Sequence, residues 1–66
     1  MDGLNKMRPR AQMVAFFISQ GCDREEIKER MGISEDSLKK YFSEIFHTVQ
    51  AKNQIQAMWR IRTLIF

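Results

Sequence analysis

The stretch from Asp23 to Phe46 constrains this chain more than any other, because it encodes two short helices and the tight turn between them. Asp23 stands where a side chain caps a helix, and Glu26 follows three residues on, the reciprocal pair that satisfies two amides left open at a helix start. Gly32, directly after Met31, supplies a residue that readily takes a positive φ at a helix end. Ser34 then caps a second helix, whose first turn carries Glu35 and Asp36, acids suited to the positive end of a helix dipole. This second helix is predicted over Glu35 to Phe46. Leu38, Tyr41, Phe42, Ile45 and Val49 fall on one side of it at helical spacing, and Asp36, Lys39, Lys40, Ser43 and His47 fall on the other. The first side belongs to a core, and the second is left to touch a partner. The pattern is that of a helix-turn-helix.

The remaining segments supply helices around this pair. Residues 1–7 lack apolar periodicity and contain Gly3 and Asn5, so they read as a frayed arm. Pro9 suits the first position of a helix, which continues to Ser19 or Gln20 before Gly21 ends it. Met13, Phe16, Phe17 and Gln20 mark one face of that helix, Val14 and Ile18 extend its apolar surface, and all these apolar side chains are expected in the core. In the helix Arg24 to Met31, Ile27 and Met31 turn inward, while Arg24, Glu25, Lys28 and Glu29 are left to solvent. Cys22 is expected to be a buried, inert thiol. His47 to Lys52 reads as a loop, after which Asn53 caps a last helix running toward Phe66. This last helix is unusually apolar: Ile55, Met58, Trp59 and Arg62 form one stripe, and Ala57, Ile61, Leu64 and Ile65 form another. A core this small covers only one stripe, so a contact with a second chain is expected for the other in preference to the terminal residues folding back over the first helix.

The same residues carry a resemblance. The chain is similar to the DNA-binding domain of the LuxR/GerE group of bacterial transcription regulators, whose usual pattern is L-T-x-R-E-x-E-V-L, then G-x-S-N-K-E-I-A-x-x-L-G-I-S-x-x-T-V-K-x-H, then N-R-x-Q-A. Met7-Arg8-Pro9-Arg10 stands where the opening does, Gly21 where the first glycine does, and Glu26-Ile27, Met31-Gly32-Ile33-Ser34, Ser37-Leu38-Lys39, Asn53 and Gln56-Ala57 follow at the family's spacing without a gap. The match covers Met7 to about Met58; Ala11 and Met13 replace the two glutamates of the opening, Tyr41 the usual histidine and Gln54 the usual arginine. The resemblance implies an all-α, four-helix, wingless helix-turn-helix domain over residues 1–66, with 53–66 as a C-terminal dimerisation helix. By position it implies base-reading roles for Lys39, Lys40 and Ser43, with Ser37 and Lys39 in reach of phosphate. Asp36 is compatible with a groove only beside a cytosine amine or outside it. His47, Arg30, Arg8 and Lys52 complete the candidate DNA-binding set. Ala57, Met58, Ile61, Leu64 and Ile65 form the candidate dimer interface.

Composition narrows the alternatives. A core drawn from 66 residues supplies only about 3 to 5 kcal/mol unless it is stapled or shared. One cysteine allows no intrachain disulfide and no zinc-ligand cluster, which fits a reducing cytoplasm and leaves a homodimer as the means of sharing burial. The formal net charge is +3 and is unevenly spread: residues 1–22 carry +2, residues 23–44 carry −2 and residues 45–66 carry +3. Basic side chains therefore flank the helix-turn-helix, and double-stranded DNA is the expected partner. There is no glycine-rich phosphate loop, no metal-ligand spacing and no partnered nucleophile, so neither an enzyme, a cofactor nor a small-molecule ligand is expected. The apolar run Met13 to Ile18 is too short to span a bilayer, and no membrane association is expected. The leading expectation is a stand-alone, sequence-specific transcription regulator without a sensor domain. The alternative is a small interaction protein whose last helix pairs with a larger LuxR-type regulator and blocks it, a reading to which the acidic middle third of the chain lends weight.

Overall fold

In a computed structural model, residues 7–65 are described, and they form four helices without a strand. We label these α1 (Pro9–Ser19), α2 (Arg24–Met31), α3 (Glu35–Val49) and α4 (Gln54–Ile65). Local chemistry accounts for each boundary. Pro9 opens α1 at a position where its missing N–H leaves no bond unmade. The chain then reverses through Gly21 at φ +81°, with the Cys22 amide donating back to the Phe17 carbonyl. Asp23 accepts from the Glu26 amide at 2.8 Å while the Glu26 side chain accepts from the Asp23 amide, so the capping box forms. Gly32, at φ +64°, closes α2 in the left-handed conformation, and Ser34 caps α3 by accepting from the Ser37 amide. Asn53 caps α4 through the Gln56 amide, and the Gln56 side chain returns to the amide of Lys52.

α3 extends one turn further than its sequence suggests. It ends at Val49, with Gln50 in the left-handed conformation at φ 58° and Ala51 donating to the Phe46 carbonyl. The segment from His47 to Val49 is therefore helical and not loop, because burial of Val49 on the α3 core face outweighs its weak local pattern.

The core gathers the inner faces of all four helices. α1 contributes Ala11, Val14, Ala15 and Ile18; α2 contributes Ile27 and Met31; α3 contributes Leu38, Phe42, Ile45 and Val49; α4 contributes Ala57 and Ile61. Two polar ties fix α4 to the end of α1: Arg62 Nε donates to the carbonyl of the fully buried Ser19 at 2.7 Å, and Gln54 donates to the Cys22 carbonyl at 2.9 Å. Cys22 itself is half-buried, packed against this core.

Several expectations are corrected by this packing. Met7 is not part of an arm: it is buried, and its carbonyl accepts from the Gln12 side chain. Residues 1–6 lie outside the described residues. On α1 the inner face combines Ala11 and Ala15 with Val14 and Ile18, and Met13 and Phe16 are half exposed, at 51% and 50%. α1 is apolar on both sides, and close approach of its neighbours selects the face carrying Ala11 and Ala15. Arg24 and Lys28 are not simply solvated; both reach Glu35 across the turn.

The expected dimer stripe is corrected most. Ala57 and Ile61 are fully buried in the chain's own core, and Met58 and Leu64 pack against it. The side chain of Ile65 lies outside the described residues. The stripe left outward is Ile55 and Trp59, one helical turn apart and 70% and 59% exposed. Ile61→Ala is therefore expected to cost about 2 to 5 kcal/mol, enough to abolish a two-state urea transition in so small a domain. Ile55→Ala should leave that transition within about 0.5 kcal/mol of the parent. Equal midpoints for the two variants would contradict the inward placement of Ile61.

Candidate nucleic-acid interface

The site is built on α3. Its apolar side fixes the helix about its own axis, so the opposite side presents Asp36, Lys39, Lys40, Ser43 and His47, all exposed. The five occupy positions i, i+3, i+4, i+7 and i+11, the spacing of a single helical face.

The flank of α3 nearest the start of α1 brings further groups together. Arg8, Ser37, Lys40 and Tyr41 line one open cleft of about 200 Å³. Two of these side chains are cations and two carry hydroxyls, a set chemically suited to an oxygen-rich anion such as a phosphate group. The spacing of Tyr41 predicts a core position, but the residue is only half-buried and its edge lines this cleft. Its phenol is amphipathic, so apolar periodicity alone does not distinguish the two placements. Further along the same flank, Glu44 holds a shielded carboxylate oxygen with no hydrogen-bond partner among the described residues. Its charge confines the anion-attracting part of the flank to the first two turns of α3.

Other candidates stand apart from this constellation. Arg30 is exposed, but its guanidinium lies 5.9 Å from the centre of the Phe17 ring, on the side of α2 that meets α1. Lys52 is exposed in the turn between α3 and α4. Arg60 lines a separate depression with Thr48, Gln50 and Thr63. Each of those two threonine hydroxyls donates to a carbonyl one turn back in its own helix.

α2 and α3, joined through the apolar core, are also bridged by charge. Glu35, in the first turn of α3, accepts from Arg24 and, at 3.1 Å, from Lys28; Lys28 also reaches Glu25 at 2.6 Å. Arg24 additionally lies 5.2 Å from the centre of the Phe42 ring. Lys28, followed by Arg24, holds the Glu35 carboxyl below its ordinary value of 4.5. Hydrogen bonds to Glu25 and then Glu35 hold the Lys28 ammonium above 10.5. Pairing leaves the net charge of −2 in the middle third unchanged, but it fixes where several of its acids lie. Glu25 and Glu35 are ion-paired, Asp23 and Glu26 are occupied in a cap, and Asp36 is the acid that remains on the outward face of α3.

Among the described residues, no group of three His, Cys, Asp or Glu side chains is placed to hold a metal ion. Nor is any described helix long and apolar enough to cross a membrane. No family model, curated protein or solved structure matches the chain.

The ion pairs give a pH dependence of definite sign. A carboxyl whose folded value is depressed stabilises the fold above its unfolded value, so the Glu35 contribution is present above 4.5 and is lost as pH falls below that value. An ammonium whose folded value is raised stabilises the fold below its unfolded value, so the Lys28 contribution is lost as pH climbs past 10.5. Urea midpoints of the parent should therefore fall at both extremes. Glu35→Gln should flatten part of the acid limb, whereas identical acid limbs would show that the exposed pairs contribute nothing measurable to stability.

Proposed function

We propose that the chain is a sequence-specific DNA-binding regulator of transcription, of the LuxR/GerE kind, which inserts α3 into the major groove and binds as a dimer. One observation carries the reading: the outward row Lys39, Lys40, Ser43 and His47 and the cleft of Arg8, Ser37, Lys40 and Tyr41 adjoin on the same helix and share Lys40. A recognition helix needs both elements. Base edges are read by side chains on its outward face, and a phosphate held beside its first turns sets its depth and register. Lysine reaches guanine O6 and N7, and the short Ser43 side chain permits close approach. The left-handed turn at Gly32 and the pairing of Glu35 with Arg24 and Lys28 support the reading further, since they present α3 with one of its two first-turn acids already neutralised.

Dimerisation belongs to the same proposal and is assigned to the exposed Ile55–Trp59 stripe of α4. Two half-sites bound by a dimer make engagement of the second effectively intramolecular. The other reading, a chain that blocks a larger LuxR-type regulator, uses the same stripe but requires no DNA.

Gel shifts on genomic fragments at two salt concentrations separate these. In Lys39→Ala/Lys40→Ala, binding to the preferred fragment should weaken by about 1 to 3 kcal/mol for each lysine that reads a base edge, with relaxed sequence preference. Arg8→Ala should weaken all fragments alike and reduce the salt slope by about one counterion. A parent protein that shifts no duplex at low salt would overturn the DNA reading and favour the blocking one.

For the dimer, Ile55→Glu/Trp59→Glu should remain helical by circular dichroism, sediment as a monomer, and bind a double half-site far more weakly than the parent does while a single half-site is little affected. A parent protein that is monomeric at about tens of micromolar would remove the dimer from the proposal.

A further inference from the structure

We infer that the outer face of α1 is a docking surface for an acidic amphipathic helix of another protein. The inner face of α1 is spent on the core, yet its outer face is also apolar. Pro9, Gln12, Met13, Phe16 and Phe17 line an open, mostly apolar depression there, with Met13 and Phe16 half exposed to solvent. Neither the row on α3 nor the stripe on α4 accounts for it. Contiguous exposed apolar surface edged by polar side chains is a feature of interaction sites.

Charge identifies the occupant. α1 contains no acidic residue. On its α2 side stand two cations: Arg30, whose guanidinium lies over the Phe17 ring, and Arg10, whose side chain donates to the Met31 carbonyl at the end of α2. Among the described residues neither arginine forms an ion pair. The complementary surface is an apolar stripe edged by carboxylates. From Pro9 to Phe17 the depression spans about 12 Å at 1.5 Å per residue, which matches the i, i+3, i+4, i+7 anchors on one face of a partner helix. A second copy fits less well, because an antiparallel twofold contact through α1 would bring the arginine-bearing flanks of both chains to the same side, and neither copy offers carboxylates on this face.

This surface is independent of the DNA reading, so either proposal can fail without the other. The test uses the whole chain, isotopically labelled for amide-shift mapping. One probe is a synthetic helical peptide with leucine at i, i+3, i+4 and i+7 and glutamate elsewhere; the other has glutamine in place of each glutamate. The acidic peptide should bind saturably with shifts centred on Met13, Phe16, Phe17 and Arg30, and the glutamine peptide should bind about tenfold more weakly. Phe16→Gln, at an exposed position, should abolish the shifts without changing the melting curve, and Arg30→Gln should weaken the acidic peptide while leaving the glutamine peptide unaffected. Equal affinity for the two peptides, absence of saturable binding, or shifts centred on Ile55 and Trp59 would overturn the assignment. So would self-association abolished by Phe16→Gln, which would make a second copy the occupant, or displacement of the peptide by anionic phosphatidylglycerol vesicles, which would make it a lipid surface.

Discussion

Ala11, Ala15 and Ala57 carry nothing beyond Cβ, and their burial allows α1 and α4 to approach closely enough for Ile18 and Ile61 to be fully enclosed. The placement of the other helices depends on this junction. α1 also meets α2 and α3, so it is the hub through which the α2–α3 pair is tied to α4. A chain of 66 residues has little apolar surface to spare, and small side chains at the hub raise its packing density where long ones would hold the helices apart. The hydrogen bond from Arg62 to the Ser19 carbonyl satisfies a buried acceptor at the same junction.

With the hub in place, orientation of α3 follows from interactions near the surface. The turn at Gly32 fixes the path of the chain, the Ser34 cap fixes where α3 begins, and Glu35 is drawn to Arg24 and Lys28 of the preceding helix. Such exposed ion pairs add little stability individually. Their consequence here is geometric and electrostatic. They restrict the first turn of α3 and cancel one carboxylate beside the face that carries Lys39 and Lys40, which favours approach of a polyanion.

The surface is divided among helices by chemistry. α3 turns out a polar, largely basic row, while α1 and α4 turn out apolar side chains flanked by arginines. The polar and the two apolar outward faces therefore lie on different helices and draw on different residues.

The sequence by itself determined the features that depend on near neighbours in the chain. The capping box at Asp23, the left-handed Gly32, the Ser34 and Asn53 caps, and the polar and apolar sides of α3 were legible because each rests on residues within about one or two turns of one another. Those features also placed Lys39, Lys40 and Ser43 on one exposed face. Only the tertiary structure decided which side of an evenly apolar helix goes inward. α1 and α4 each offer two apolar faces, so periodicity could not choose between Met13 with Phe16 and Ala11 with Ala15, or between Ile55 with Trp59 and Ala57 with Ile61. The choice was made by the fit of neighbouring helices, which favours the face of Ala11, Val14, Ala15 and Ile18 on α1 and the Ala57–Ile61 face on α4. It likewise required the assembled fold to bring Arg8 to Ser37 and Tyr41, because these side chains are distant in the chain and meet only when α1 and α3 pack around the same core.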